Sequence, residues 1–371
     1  IKIRRTKPYH NSKWQTLQQQ ILVEFTQPVK LEEIKPFIQF KEKGALFDKA
    51  INFKLNYCNK KQRNLLYYWR NKEADFNRFI VISPIEKLNI ATQYEVFFLK
   101  GLKSDSGNLG LKGSRYIKFR TYETFRILDV KKQFNPEYGI EVSLSNNVQI
   151  KKFLEKIEIS PPVAINRNQN WKSRTFNISG DFKPSTTYRV TIPATVQDIY
   201  GNQLEAGTTF TAVSTDFSAF LRPPSTTHFV LENYLKKEIP VSVRNIFQTT
   251  VYYKRLTQSE ISQQLNSSYP SLKIKTADCN QYQWKIPVEK NKGVTLGFDL
   301  SQIGISEPGF YYIKFDKTSR EYYKGSIFQL TDTAMIAKIS PSQLFVTSFS
   351  MKSGTIKQNS RYSLLDFASP V

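Results

Sequence analysis

The strongest constraint on this chain is a supersecondary unit that it carries twice. Ser185–Asp216 reads STTYRVTIPATVQDIYGNQLEAGTTFTAVSTD, placing a strand around Tyr188–Ile192, a polar turn at Asp198–Asn202 and a returning strand at Thr208–Val213. An earlier copy occupies Ala91–Tyr122. There Gln93-Tyr94-Glu95-Val96 answers Thr187-Tyr188-Arg189-Val190, Gly107-Asn108-Leu109 answers Gly201-Asn202-Gln203-Leu204, and Phe119 answers Phe210. Alternating apolar positions, a Gly-Asn pair that tolerates positive φ, and alternation again describe paired strands. A second echo lies upstream of each copy, in Ile21–Phe40 and Ile140–Ile159. Val23 matches Val142, Phe25 matches Leu144, Val29 matches Val148, Leu31 matches Ile150 and Phe40 matches Ile159, all at one offset. Front and back of one unit both recur, so the expectation is an all-β chain of serial β-sandwiches.

A length of 371 residues exceeds one ordinary core and suits two to four domains. With 40% hydrophobic residues, including 27 Phe and 20 Tyr, several cores can be filled. The net charge of +23 bears on partners rather than fold. Its lysines and arginines are scattered over Lys2–Lys7, Lys60–Arg70, Lys112–Arg120 and Lys236–Lys237, with no nucleic-acid-binding motif. Nucleic acid is therefore disfavoured, and anionic envelope components or polymers suit the surface better. Cys58 and Cys279 fall in different expected modules, which excludes a disulfide framework. No run of about 18 apolar residues marks a transmembrane helix. Ile1–Arg5 is not a signal peptide, and both ends look cut.

In chain order, residues 1–19 read as a polar, basic lead-in. The first repeat is longer than the second, with its surplus near residues 41–77. That surplus holds Tyr67-Tyr68-Trp69 flanked by Arg63 and Arg70, a candidate partner-binding patch, since aromatics interleaved with cations stack on bases or sugars. A buried strand with snorkelling arginines fits the same residues. From Phe217 the spacing changes. Leu221-Arg222-Pro223-Pro224 reads as a corner, followed by strands in Ile239–Thr257, a short helix around Ser259–Leu265, and strands at Tyr282–Lys290, Gly309–Asp316 and Gly325–Ser340. Leu344–Gly354 adds one more strand and a turn.

Catalytic patterns are absent from the sequence. His10 and His228 have no acidic or cysteine neighbour, and no HExxH, P-loop, GxGxxG or nucleophile elbow occurs. Asp198 and Asn202 could suggest calcium, but one carboxylate cannot supply six oxygens. A turn held by its own Asp and Asn side chains fits better. The expectation is a chain that binds or scaffolds: not an enzyme, with no catalytic residue, metal site or cofactor.

The Asp-x-x-Gly-Asn-x-Leu run at Asp198–Leu204, followed by Thr208–Ala212, resembles the bacterial Ig-like modules at the front of bacterial alpha-2-macroglobulin-like proteins. His228–Leu256 resembles that family's first macroglobulin-type domain, and Gly309–Asp316 with Phe328–Gly354 is similar to its continuation. The resemblance covers most of the chain, most firmly Val142 to Gly354. It implies an Ig-like sandwich over 1–122 with an insertion near 41–77, and an Ig-like repeat over 123–216. A macroglobulin-like sandwich over 217–334 would follow, then a final strand or the start of a further domain over 335–371. Family members are large envelope-associated protease traps with a bait region and, in many, a Cys-x-Glu-Gln thioester. Here Cys58 is followed at that spacing by Lys61 and Cys279 by Tyr282, so no thioester residue carries over. What remains implied is a non-catalytic, amino-terminal scaffold portion of such a protease inhibitor, periplasmic or at the outer membrane or cell surface. Its partners would be the remaining domains of a larger chain, target proteases reached through the full-length protein, and anionic envelope components. The alternative is a free-standing surface adhesin or anionic-polymer-binding protein built from the same modules.

Overall fold

The computed structural model describes residues 1–66, 76–107, 109–265, 274–319 and 323–362. The chain is all-β and divides into two compact units, Ile1–Thr215 and Asp216–Val371. The first holds two sandwiches and the second one sandwich and a hairpin, and strands such as Gln93–Phe98 and Thr187–Ile192 alternate buried with less buried side chains.

The first sandwich comprises β1 (Ile3–Lys7), β2 (Ser12–Gln15), β3 (Ile21–Phe25), α1 (Leu31–Ile34), β4 (Ile38–Glu42), β5 (Lys49–Ala50), β6 (Phe53–Tyr57), α2 (Lys60–Asn64), β7 (Phe79–Pro84), β8 (Gln93–Phe98) and β9 (Arg115–Thr121). One sheet runs β1-β3-β7-β6 and the other β2-β9-β8-β4-β5. Val23, Phe25, Phe40, Tyr94, Val96, Phe98 and Phe119 fill the space between them. The stretch read as a lead-in supplies β1 and β2. Both lie at sheet edges with mostly exposed or half-buried side chains, and solvated edge strands are polar in sequence.

The second sandwich repeats this framework. It comprises β10 (Ile127–Val130), β11 (Gln133–Phe134), β12 (Ile140–Gln149), α3 (Ile150–Leu154), β13 (Glu158–Ser160), β14 (Lys172–Ile178), β15 (Thr187–Ile192) and β16 (Thr208–Ser214). Its sheets run β10-β12-β14 and β11-β16-β15-β13. Leu31 and Ile150 each open the short helix, while Phe40 lies opposite Val96 as Ile159 lies opposite Val190.

The repeat extends to individual hydrogen bonds. Tyr94 Oη accepts from the Asn89 amide and Tyr188 Oη from the Lys183 amide, at 2.8 and 2.7 Å. Thr121 Oγ1 bonds the backbone of Asn89 and Thr92, and Ser214 Oγ does the same for Lys183 and Thr186. Ala91 and Ser185, non-glycine residues at corresponding positions, both take left-handed backbone conformations, with φ of 52° and 49°. One detail of the sequence alignment shifts by two residues. Phe210 faces Val190 as Ile117 faces Val96, while Phe119 corresponds to Ala212. A slip of two keeps every side chain on the same face, so alternation alone could not detect it.

The insertion of the first module extends both sheets at their edges, with β5 beyond β4 and β6 beyond β7. It also supplies Cys58 and Leu66, which pack with Leu22, Phe79 and Val81 in a separate cluster. Burial there pushes the Cys58 thiol up to about 12.

The second unit holds a sandwich of β17 (Phe220–Arg222), β18 (His228–Glu232), β19 (Glu238–Arg244), β20 (Gln248–Arg255), α4 (Gln258–Leu265), β21 (Asn280–Lys285), β22 (Val294–Asp299), β23 (Gly309–Phe315) and β24 (Ser326–Thr331). Sheets β17-β19-β22 and β18-β24-β23-β20-β21 enclose Val241, Val243, Trp284, Phe298, Phe315 and Phe328. Helix α4 starts with a capping box in which Thr257 and Glu260 exchange hydrogen bonds. The Lys254 ammonium and the Thr257 amide hold the Glu260 carboxyl down at about 2. A hairpin of β25 (Thr333–Ile339) and β26 (Leu344–Ser350) follows.

Candidate functional site at the joint between the first two modules

Within the first unit, the two sandwiches meet at a built joint. Trp14 lies where the pairing of β2 with β9 is irregular between Ser12 and Gln15, and its backbone is left-handed, with φ of 55°. A tryptophan seldom adopts that conformation without compensation from its surroundings. Here the compensation comes from the other module. The indole N–H donates to the Ser145 carbonyl at 2.9 Å, and the Arg174 guanidinium lies 4.1 Å from the ring centroid. Tyr200 Oη donates in return to the Trp14 carbonyl.

The Asp198–Leu204 turn presents Tyr200 to that contact. The Asp198 carboxylate accepts from the amides of Tyr200 and Asn202 at 2.8 and 2.9 Å and from the Asn202 side chain at 2.9 Å. It also accepts from the fully buried Asn146 side chain at 2.9 Å. Gly201, at φ of 89°, gives the turn its left-handed step. Presented in this way, Tyr200 stacks on Tyr122 with ring centroids 4.2 Å apart and planes 20° from parallel. Burial pushes the Tyr200 phenol up to about 12, with Asp198 adding to the shift.

The link between the modules is tied to β12. Asn146 donates to the Glu123 carbonyl at 2.6 Å and accepts from its amide at 3.1 Å. Ser145 donates to the Thr124 carbonyl at 2.8 Å and accepts from the Arg126 amide at 3.0 Å. Ser145 and Asn146 are therefore buried polar residues with satisfied partners, which fixes register as well as position. The joint can orient and clamp. It presents no nucleophile–base pair, and no cluster of three or more potential metal ligands occurs among the described residues.

Of the sequence-predicted patch, Arg63 sits in α2, with its guanidinium 4.0 Å from the Phe76 ring centroid and 3.4 Å from the Cys58 carbonyl. Tyr67, Tyr68, Trp69 and Arg70 lie outside the described residues. The sequence reading singled out Asp198 and Asn202 but missed Trp14, Tyr122, Ser145, Asn146 and Tyr200 as a group. One signal was available: Ser145-Asn146-Asn147 interrupts the alternation of β12 with consecutive polar residues.

Residues 126–218 match the bacterial Ig-like domain family. No curated protein sequence matches the chain. Among solved structures, an Escherichia coli alpha-2-macroglobulin fragment spanning domains MG0-NIE-MG1 is similar over 63% of this chain and 80% of its own, at 16% identity and a TM-score of 0.35. Salmonella alpha-2-macroglobulin mutant Y1175G is similar over 62% of this chain, at 12% identity and a TM-score of 0.46. Native Escherichia coli alpha-2-macroglobulin is similar over 63% of this chain, at 14% identity and a TM-score of 0.37. The matched region spans 15% of the Salmonella chain and 16% of that native Escherichia coli chain. These likenesses are of fold.

Proposed function

We propose that the chain is a non-catalytic scaffold portion of a bacterial alpha-2-macroglobulin-like protease trap, working at the cell envelope. The joint carries this reading. A seam between two Ig-like modules in which half-buried Trp14, Tyr122 and Tyr200 sit over the buried, bonded Ser145, Asn146 and Asp198 is what a spacer needs to hold a fixed direction. The order of sequence resemblances, Ig-like modules before a macroglobulin-type domain, supports the family assignment. The hairpin β25–β26 supports membership of a larger chain: Ile339, Phe345 and Met335 are 81%, 60% and 63% exposed. A two-stranded ribbon in water is marginal without a partner for its apolar side chains. In this reading the remaining domains of the larger chain carry the trapping chemistry, and target proteases meet this portion only as part of the full-length protein.

Mass spectrometry of the protein from its source tests the reading. The expected product is several times heavier than 43.1 kDa and retains an attacking protease after cleavage. A native product of about this mass would overturn it in favour of a free-standing binding protein.

A further inference from the structure

The first module carries an open cleft of about 760 Å³ on the side where its two sheets part, bordered by Lys2, Ile3, Leu109, Lys112, Arg115 and Tyr116. Strand edges line it. β1 is the outermost strand of its sheet, and the segment that forms β2 covers β9 no nearer its start than Lys118, whose carbonyl accepts from the Asn11 amide at 2.7 Å. The outer edge of Arg115–Ile117 consequently has no strand neighbour among the described residues, although its inner edge is paired with β8. Backbone donors and acceptors on such an edge are a template for another strand.

The surroundings select what can pair there. None of the residues lining the cleft is acidic, and Lys2, Lys112 and Arg115 have no ion pair among the described residues. Leu109 is 85% exposed and Tyr116 48%, with the Tyr116 ring held edge-on by His10 at 5.1 Å. A second copy of this chain, at +23, is repelled by such a site, whereas an acidic segment is attracted. We propose that the cleft captures an extended acidic segment of a partner protein by strand addition along Arg115–Ile117. Carboxylates of the segment meet Lys2, Lys112 and Arg115, and an apolar side chain covers Leu109 and Tyr116. This goes beyond the scaffold reading and does not depend on it.

The test uses a fluorescein-labelled octapeptide alternating Glu with Val, titrated by fluorescence anisotropy with the full chain. Three comparisons accompany it: the same peptide N-methylated at alternate backbone nitrogens, the double variant Lys112→Glu/Arg115→Glu, and the double variant Lys151→Glu/Lys152→Glu. The last pair makes the same charge change on α3 of the second module. N-methylation and the Lys112/Arg115 change are each expected to weaken binding at least about tenfold, and the Lys151/Lys152 change by less than about twofold. Equal weakening by both double variants would reduce the effect to net charge and overturn the proposal. So would unchanged affinity for the N-methylated peptide, or no binding of the octapeptide. A concentration-dependent dimer in sedimentation equilibrium, abolished by Arg115→Glu, would assign the edge to a second copy instead.

Discussion

The first and second modules share a framework down to matching tyrosine hydrogen bonds, yet they treat the outer face of one sheet in opposite ways. In the first, Leu22, Phe79 and Val81 on the outward face of β3 and β7 are buried with Cys58 and Leu66 of the insertion, and Glu24 beside them is buried against Arg4 and Arg5. In the second, the equivalent positions on β12 and β14 are Glu141, Thr175 and Asn177, half-buried or exposed. Inward positions are apolar in both: Ile21, Val23, Ile80 and Ile82 against Ile140, Val142, Phe176 and Ile178. The inner face specifies the sandwich, and the outer face records whether anything covers it. An insertion can thus enlarge a module without disturbing its topology by extending sheet edges and burying one more face.

Exchanging equivalent residues should expose this difference most strongly. Leu22→Glu places a carboxylate under the insertion with Lys7 of β1 opposite it and is expected to cost about 3 kcal/mol, whereas the reciprocal Glu141→Leu should change stability by less than about 0.5 kcal/mol. Urea unfolding of the two variants checks the asymmetry, and equal losses would refute the covering role of the insertion. Asp198→Ala leaves four donors without their acceptor and should cost the second module about 3 kcal/mol, read in the same assay. At the equivalent place, three residues before Gly107, the first module has the buried Ser104 in place of a carboxylate and offers no counterpart change.

Trp14→Ala removes the indole contacts with Ser145 and Arg174. A loss of about 2 kcal/mol is expected, together with separation of one calorimetric transition for Ile1–Thr215 into two. Persistence of a single transition would mean that the modules are coupled elsewhere. Tyr188→Phe should cost about 1 kcal/mol and Tyr94→Phe about 2 kcal/mol, because both lose the bond from a backbone amide while Tyr94 Oη also donates to the Glu42 carboxylate at 2.9 Å. Equal losses in urea unfolding would mean that the Glu42 bond adds nothing to the shared framework.

The smallest effect concerns pH. The Tyr200 phenol is raised to about 12 in the fold against an ordinary value near 10. Its contribution is therefore complete below about pH 10 and is lost as pH rises from there through about 12. Tyr200→Phe should flatten that part of the thermal-stability profile relative to wild type.

Much of the framework was legible because its signal is local. Tyr94 and Tyr188, Val23 and Val142, and Leu31 and Ile150 recur in sequence since the inner face of a sandwich admits few side chains. The edge strands β1 and β2 were not legible, because residues such as Arg4, Arg5 and Lys13 face solvent and break the alternation. The joint was legible only as a turn. Asp198, Gly201 and Asn202 declare a turn by their chemistry, but nothing in a sequence states that Trp14 will meet Ser145 and Arg174 far along the chain.

One pairing common to all three sandwiches bears on mechanics. An early strand of each lies parallel to its last strand: β2 with β9, β11 with β16, and β18 with β24. Once the first strand of a module, β1, β10 or β17, has left its antiparallel partner, further extension must slide these parallel strands along each other. Their ladder bonds are then loaded together, whereas antiparallel terminal strands would peel apart one bond at a time. Tension along the chain is therefore resisted at three successive shear clasps, the longest of them in the module after Asp216.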